Sequence, residues 1–205
     1  MPPPRFIAKQ LARPSGFIGG LIAAFMNRGN ASMNAFAVEQ LQLTSGDRVL
    51  EVGFGGGVTL PALMRTAAFV AGVDPSKDMV ARATRRYADA VKAGRGEFRL
   101  GNIEALPFGG GSFTKVCTVN TIYFWTSLDA GAAELHRVLT PGGRVALGFL
   151  PKTHMDHMHM PKDIFTPRAP EDAVAALATA GFTEAHVQRP DPLTAWNVIV
   201  ATRGT

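Results

Sequence analysis

The chain has 205 residues, 46% of them hydrophobic, with 21 Lys and Arg against 16 Asp and Glu for a formal charge of +5. That length supports one sizeable core, while two halves would each be hard to stabilise, so one domain is expected. The basic residues are scattered, with no dense Lys/Arg block interleaved with aromatics, which argues against a nucleic-acid partner; Cys117 alone excludes an internal disulfide and a cysteine-based zinc site and suits a cytoplasmic location.

After the frayed start expected of "MPPPR", Phe17, Ile18, Leu21, Ile22 and Phe25 recur at the spacing of one helix face. The opposite face carries Gly20, Ala23 and Ala24, so this helix is expected to lie on the protein or on something apolar. No stretch reaches the roughly 18 uninterrupted apolar residues of a spanning helix. Arg5, Lys9, Arg13 and Arg28 beside the apolar face leave peripheral membrane contact through residues 5–28 open. A second helix is expected from Ser32 to Leu41, and "LTSGD" turns the chain into the main domain.

Strand and helix patterns then alternate. "RVLEV" (48–52) and "AFVAGVD" (68–74) read as buried parallel strands around a helical "VTLPALMRTA", whose Pro61 is tolerable only near the first turn. "SKDMVARATRRYADAVKAG" (76–94) has a Ser N-cap and a terminal glycine, as one helix should. Further strands are expected at 97–102, 113–120 and 143–150, with a helix at 128–139 stopped by "TPGG". Beyond residue 150 a Met- and His-rich loop is expected to about Pro170, followed by a helix ending at Gly181. Two strands close the chain, 184–189 and 196–203, and "PDPLTA" between them is too short for a crossover, so this pair is antiparallel. The pattern is a doubly wound α/β sheet with an antiparallel last strand.

"VLEVGFGGGVTL" (49–60) places four glycines between the first strand and its helix. Such a turn lets backbone N–H groups and a helix N-terminus approach a ligand at the carboxyl edge of the sheet. Asp74, ending the second strand, stands where an acid accepts from ribose hydroxyls, so a nucleoside-containing ligand is expected. Gly53, Gly55 and Gly57 form G-x-G-x-G with Val58 next, neither the dinucleotide G-x-G-x-x-G nor a P-loop.

With Glu51 ahead of them, these glycines resemble the first motif of the class I S-adenosylmethionine-dependent methyltransferases. "GVDPSKDMV" resembles that family's second segment, with Asp74 as the ribose acid and Met79 near the adenine. "GNIEALPF" (101–108) resembles the segment that wraps adenine, Asn102 replacing the common Asp, with Ile103 and Glu104 following; "VNTIYFW" and "ELHRVLTPGGRVAL" resemble later segments. The resemblance spans residues 45–150. It implies a single Rossmann-like domain over 45–205, with a seven-stranded, mostly parallel sheet and helices on both faces, under an N-terminal helical lid over 1–44. It also implies SN2 transfer of a methyl group from S-adenosyl-L-methionine to an acceptor nucleophile, leaving S-adenosyl-L-homocysteine with no metal; the apolar face of residues 17–26 and the methionines of 152–160 point to a small apolar or aromatic acceptor, and the basic residues beside that face to a lipid as a variant.

Tyr123 is the first candidate beside the reacting atoms, its ring lining the methyl channel and its hydroxyl orienting a nucleophile. Asn120 and Trp125 read as support and wall. In "KTHMDHMHM" (152–160), His154 and His157 are candidate general bases, and His157 and His159 share a face if the segment is extended. The interleaved methionines favour a pocket lining over a metal site. A nicotinamide oxidoreductase and a non-catalytic nucleoside-binding module remain alternatives. The oligomeric state is not legible.

Overall fold

The structure, a computed structural model, describes residues 30–205. The apolar runs form one seven-stranded sheet: β1 (Arg48–Val52), β2 (Phe69–Asp74), β3 (Gly96–Leu100), β4 (Phe113–Val119), β5 (Leu139–Phe149), β6 (Phe182–Gln188) and β7 (Asn197–Arg203). The helices are α1 (Ala31–Gln40), α2 (Leu60–Thr66), α3 (Lys77–Arg86), α4 (Ala88–Lys92), α5 (Leu128–Val138), α6 (Lys152–His157) and α7 (Pro170–Thr179), with a 3-10 turn, η1, at Ile122–Phe124. The strand order is β3-β2-β1-β4-β5-β7-β6. β1 pairs in parallel with β2 and β4, and β7 runs antiparallel to both β5 and β6, as the short link before it requires. The order reverses between β1 and β4, so their outgoing connections diverge and open a crevice at the carboxyl edge.

Alternate residues of the buried strands feed two cores. Leu50, Val52, Val145, Leu147 and Ile199 pack with Leu135 of α5 and Leu177 of α7. Val49, Val70, Ala146, Val198 and Val200 pack with Ala37 of α1, Leu63 of α2 and Met79 of α3 on the opposite face. Helices thus cover both faces, and β1 and β2 read as continuous apolar runs because both their sides are buried.

Two local expectations are corrected. The helix expected over 76–94 breaks at Tyr87 (φ −111°, ψ 28°) into α3 and α4, and the Tyr87 ring lies 5.7 Å from that of Phe98. The segment after β5 is not a continuous loop. The Pro151 carbonyl accepts from the N–H groups of His154 and Met155, and Lys152 pairs with Asp156 at 2.9 Å one turn on, giving α6. His157 therefore sits in a helix, with no extended face shared with His159. In α1, Met33 and Ala37 are buried, as is Leu41 just after it, with Ala37 and Leu41 in the core on that face of the sheet. The apolar helix expected at 17–26, and the membrane contact considered for residues 5–28, lie outside the described residues.

Candidate functional site

Three connections meet at the carboxyl edge: the glycine turn after β1, the 101–108 segment after β3, and η1 after β4. Gly53, Gly55 and Gly57 all have positive φ (70°, 48° and 70°). They serve different purposes. A Cβ at Gly53 would lie 2.4 Å from Thr121 Cγ2, and one at Gly57 2.9 Å from Leu60 Cδ1, whereas one at Gly55 would meet nothing within 4 Å. Gly53 and Gly57 are packed against protein, and Gly55 faces open space, as a backbone approached by a ligand must.

Asp74 is buried at the end of β2, where its Oδ2 accepts from Gly55 N–H (2.7 Å) and its Oδ1 from Ser76 N–H (2.8 Å). Asp74 thus links the glycine turn to α3. Ser76 caps α3, its hydroxyl accepting from Met79 N–H at 3.4 Å, and Met79 is buried. Glu51 is buried beneath the turn: the Thr59 hydroxyl donates to Oε1, while Oε2 is buried with no partner. A ligand that supplies a polar partner there relieves a desolvation cost of about 1–3 kcal/mol or more.

The 101–108 segment is clasped by α5. Glu134 Oε2 accepts from Leu106 N–H (2.7 Å), and Arg137 donates to the carbonyls of Phe108 (2.7 Å) and Leu106 (3.0 Å) while pairing with Glu134 at 2.5 Å. Within the segment Asn102 is exposed and its Oδ1 accepts from Ala105 N–H (3.1 Å); Ile103 is buried; Glu104 Oε1 accepts from Thr126 N–H at 2.7 Å. Asn102 thus turns its own backbone and retains a second acceptor position and its amide donors.

On the other side of the crevice, Asn120 has φ 58°, a left-handed conformation asparagine tolerates, and its N–H donates to Gly148 O (2.7 Å). Tyr123 is buried, its hydroxyl accepting from Leu150 N–H (2.6 Å) with Asn120 Oδ1 (3.2 Å) and Leu150 O (3.3 Å) in donor range. Burial pushes the phenol above its ordinary range, so the hydroxyl stays protonated and is committed to joining the ends of β4 and β5. His154 and His157 are exposed on α6, and His157 Nδ1 lies 2.6 Å from Thr153 O, whereas Met155 between them is buried. Among the described residues no three His, Cys, Asp or Glu side chains converge as metal ligands would.

This arrangement has counterparts in known proteins. The family described as "Methyltransferase domain" matches residues 50–147. The uncharacterized methyltransferase YdaC of Bacillus subtilis is 33% identical over 135 residues, 64% of this chain and 72% of that protein. The chain belongs to the class I S-adenosylmethionine-dependent methyltransferases. The ubiquinone/menaquinone biosynthesis C-methyltransferase UbiE of Geotalea daltonii is 33% identical over 119 residues, 57% of this chain and 51% of that protein, so the chain spans about half of that relative's length. An S-adenosylmethionine-dependent methyltransferase from Mesorhizobium loti shares the fold, with TM-score 0.69 and 18% identity over 82% of this chain and 96% of that one. Family membership sets aside the nicotinamide oxidoreductase. No described helix is long and apolar enough to cross a membrane.

Sequence reasoning missed Thr59, Thr121, Glu134, Arg137 and Arg168 as residues of this candidate site. Glu134, Arg137 and Arg168 act on segments distant in the chain, while Thr59 and Thr121 lie within "VLEVGFGGGVTL" and "VNTIYFW" but match no motif position.

Glu51 offers a pH test. Burial, reinforced by the neighbouring Asp74 charge, pushes its carboxyl up to about 8 from an ordinary 4.5, against the opposing hydrogen bond from Thr59. Between those values the folded chain binds a proton that the unfolded chain has released. Stability therefore falls as pH rises through this window, by about 1.4 kcal/mol per unit, and levels off above it. Glu51→Gln is expected to remove that slope and to be more stable than wild type at pH 9, as read by urea unfolding from pH 5 to 9. Parallel curves would mean that Glu51 is charged throughout.

Proposed function

We propose that this methyltransferase methylates a small apolar or aromatic acceptor, with the cofactor held by the carboxyl edge of β1, β2 and the segment after β3. The observation that carries the cofactor part is the convergence of Gly55, open to space, with buried Asp74 and the unpartnered Oε2 of Glu51. When bound there, S-adenosyl-L-methionine supplies a sulfonium-activated methyl group that an acceptor nucleophile takes by in-line displacement, leaving S-adenosyl-L-homocysteine. Asp74 accepts from the ribose hydroxyls. The Gly53–Gly57 turn and Glu51 receive the amino-acid end, Asn120 supports it from the β4 side, and Met79, Asn102, Ile103 and Glu104 bound the adenine.

The acceptor side is built from η1 and the 151–170 segment. Phe124 and Phe165 have ring centroids 4.9 Å apart, Phe165 lies 6.2 Å from the Tyr123 ring, and Met155 and Met160 pack in the same core. Thr166 N–H donates to Tyr123 O and Lys152 N–H to Arg168 O, so this aromatic wall is pinned to the reaction edge. Such a lining selects an apolar or aromatic body over a charged one, and similarity to a ubiquinone/menaquinone biosynthesis C-methyltransferase agrees with an aromatic acceptor. Tyr123 contributes its ring to this wall. His154 or His157 serves as general base only for an acceptor that reaches the exposed side of α6.

Positioning supplies much of the acceleration in such a transfer, so the chain need provide little acid–base chemistry. Incubation with methyl-tritiated S-adenosyl-L-methionine and separate panels of quinols, phenols, isoprenoids, basic peptides and RNA tests the assignment. Label is expected in the organic extract with a quinol, phenol or isoprenoid. Label confined to peptide or RNA would overturn the acceptor class while leaving the methyl transfer intact.

A further inference from the structure

η1 and the end of β4 contain a hydrogen-bond chain that runs in one direction. Trp125 Nε1 lies 3.2 Å from Thr121 Oγ1, which lies 2.5 Å from Thr118 Oγ1, which lies 3.0 Å from the carbonyl oxygen of Val52. An indole N–H only donates and a carbonyl only accepts, and each hydroxyl has one proton. Thr118 therefore donates to Val52, Thr121 to Thr118, and Trp125 to Thr121. The chain ends at the residue before Gly53, and the methyl of Thr121 abuts Gly53 itself, 2.4 Å from where a Cβ would stand.

Its other end is fixed on the acceptor side. The Trp125 ring occupies the space above Gly131 of α5, where a Cβ would lie 2.5 Å from Cε3, and the Trp125 carbonyl accepts from Arg168 Nη2 at 2.7 Å. The next N–H, of Thr126, goes to Glu104. Trp125 thus touches the acceptor-side segment through its carbonyl, adjoins the segment after β3 through its neighbour, and reaches the glycine turn through its indole.

We propose that Thr121 is a positioning residue, its hydroxyl being the middle of a one-way chain that fixes the acceptor-side wall, through Trp125, against the glycine turn. The proposal rests on the cofactor reading above. It assigns Thr121 two separable roles: the methyl seats Gly53, and the hydroxyl carries the chain. Thr121→Val keeps the first and removes the second; Thr121→Ser does the reverse.

The test uses the full chain with S-adenosyl-L-homocysteine as probe, titrated calorimetrically, and reads indole emission in parallel. Thr121→Val and Trp125→Phe are each expected to weaken binding about threefold to tenfold, the scale of one lost neutral hydrogen bond. The double variant is expected to be no weaker than either single one, because both cut the same chain. Thr121→Ser, which keeps the hydroxyl, is expected to bind more tightly than Thr121→Val, its remaining loss reporting the methyl that seats Gly53. Thr121→Val should shift the emission of Trp125 to the blue, a change absent in the Trp125→Phe background, where Trp196 alone emits. Wild-type affinity and emission in Thr121→Val, or additive losses in the double variant, would overturn the proposal. No binding by the wild-type chain would overturn the cofactor reading itself, and this proposal with it.

Discussion

Asp74→Ala is expected to lower affinity for S-adenosyl-L-homocysteine by at least about 100-fold. Hydrogen bonds to a charged group contribute about 1.5–3 kcal/mol each, and in the proposed site two ribose hydroxyls lose their acceptor together. The free protein pays as well, since Gly55 N–H and Ser76 N–H both donate to this carboxylate, and the first holds the glycine turn in place. Ser76 caps α3, so the melting temperature is expected to fall by several degrees without loss of the fold. Calorimetric titration well below that melting temperature separates the two effects. An affinity within about tenfold of wild type, on the same hydrogen-bond scale, would remove Asp74 from the ribose site. Asp74→Asn, of equal size, should fall between the two, because its amide nitrogen presents donors where donors already point.

The second expectation concerns two neighbouring glycines that should fail in different ways. Gly53→Ala places a methyl 2.4 Å from Thr121 Cγ2 at a φ of 70°. Either the turn or η1 must move, and overpacking of this kind costs about 1–3 kcal/mol on top of about 1–2 kcal/mol for the left-handed backbone. Both stability and binding should drop. Gly55→Ala meets no atom within 4 Å, so it bears only the backbone strain, about 1–2 kcal/mol. Its methyl projects into the space where the proposed ligand approaches, and binding is expected to fall by about 100-fold or more, equivalent to about 2.7 kcal/mol. Urea unfolding paired with titration reads the contrast. A Gly55→Ala chain that binds S-adenosyl-L-homocysteine normally would place the ligand elsewhere than against this turn.

Most of the fold was legible because it depends on neighbours in the chain. The β-branched runs of β1 and β2, the glycines between strand and helix, the Ser76 cap and the short link before β7 each express a local constraint, and each appears where it was expected. Local pattern failed where a distant contact overrode it. Tyr87 lies in good helical sequence, yet the chain breaks there with its ring near Phe98 of β3. α6 escaped notice because Met155 is its single apolar residue and shows no period, and its helix rests on a proline-started turn and one ion pair.

The site divides along the same line. The sequence alone determined which residues share the proposed cofactor edge: the acid, the three alternate glycines and Asp74 are a motif because a strand, its turn and the next strand end must present them together whatever surrounds them. Only the tertiary structure decided what holds that edge in place. Glu134 and Arg137 clasp the 101–108 segment, Thr121 seats Gly53, Tyr123 spends its hydroxyl on Leu150, and Arg168 reaches Trp125 across some forty residues of chain. These contacts join segments far apart in sequence. Their geometry is set by strand register and by which helix face meets which strand, and neither is written in any short run of residues.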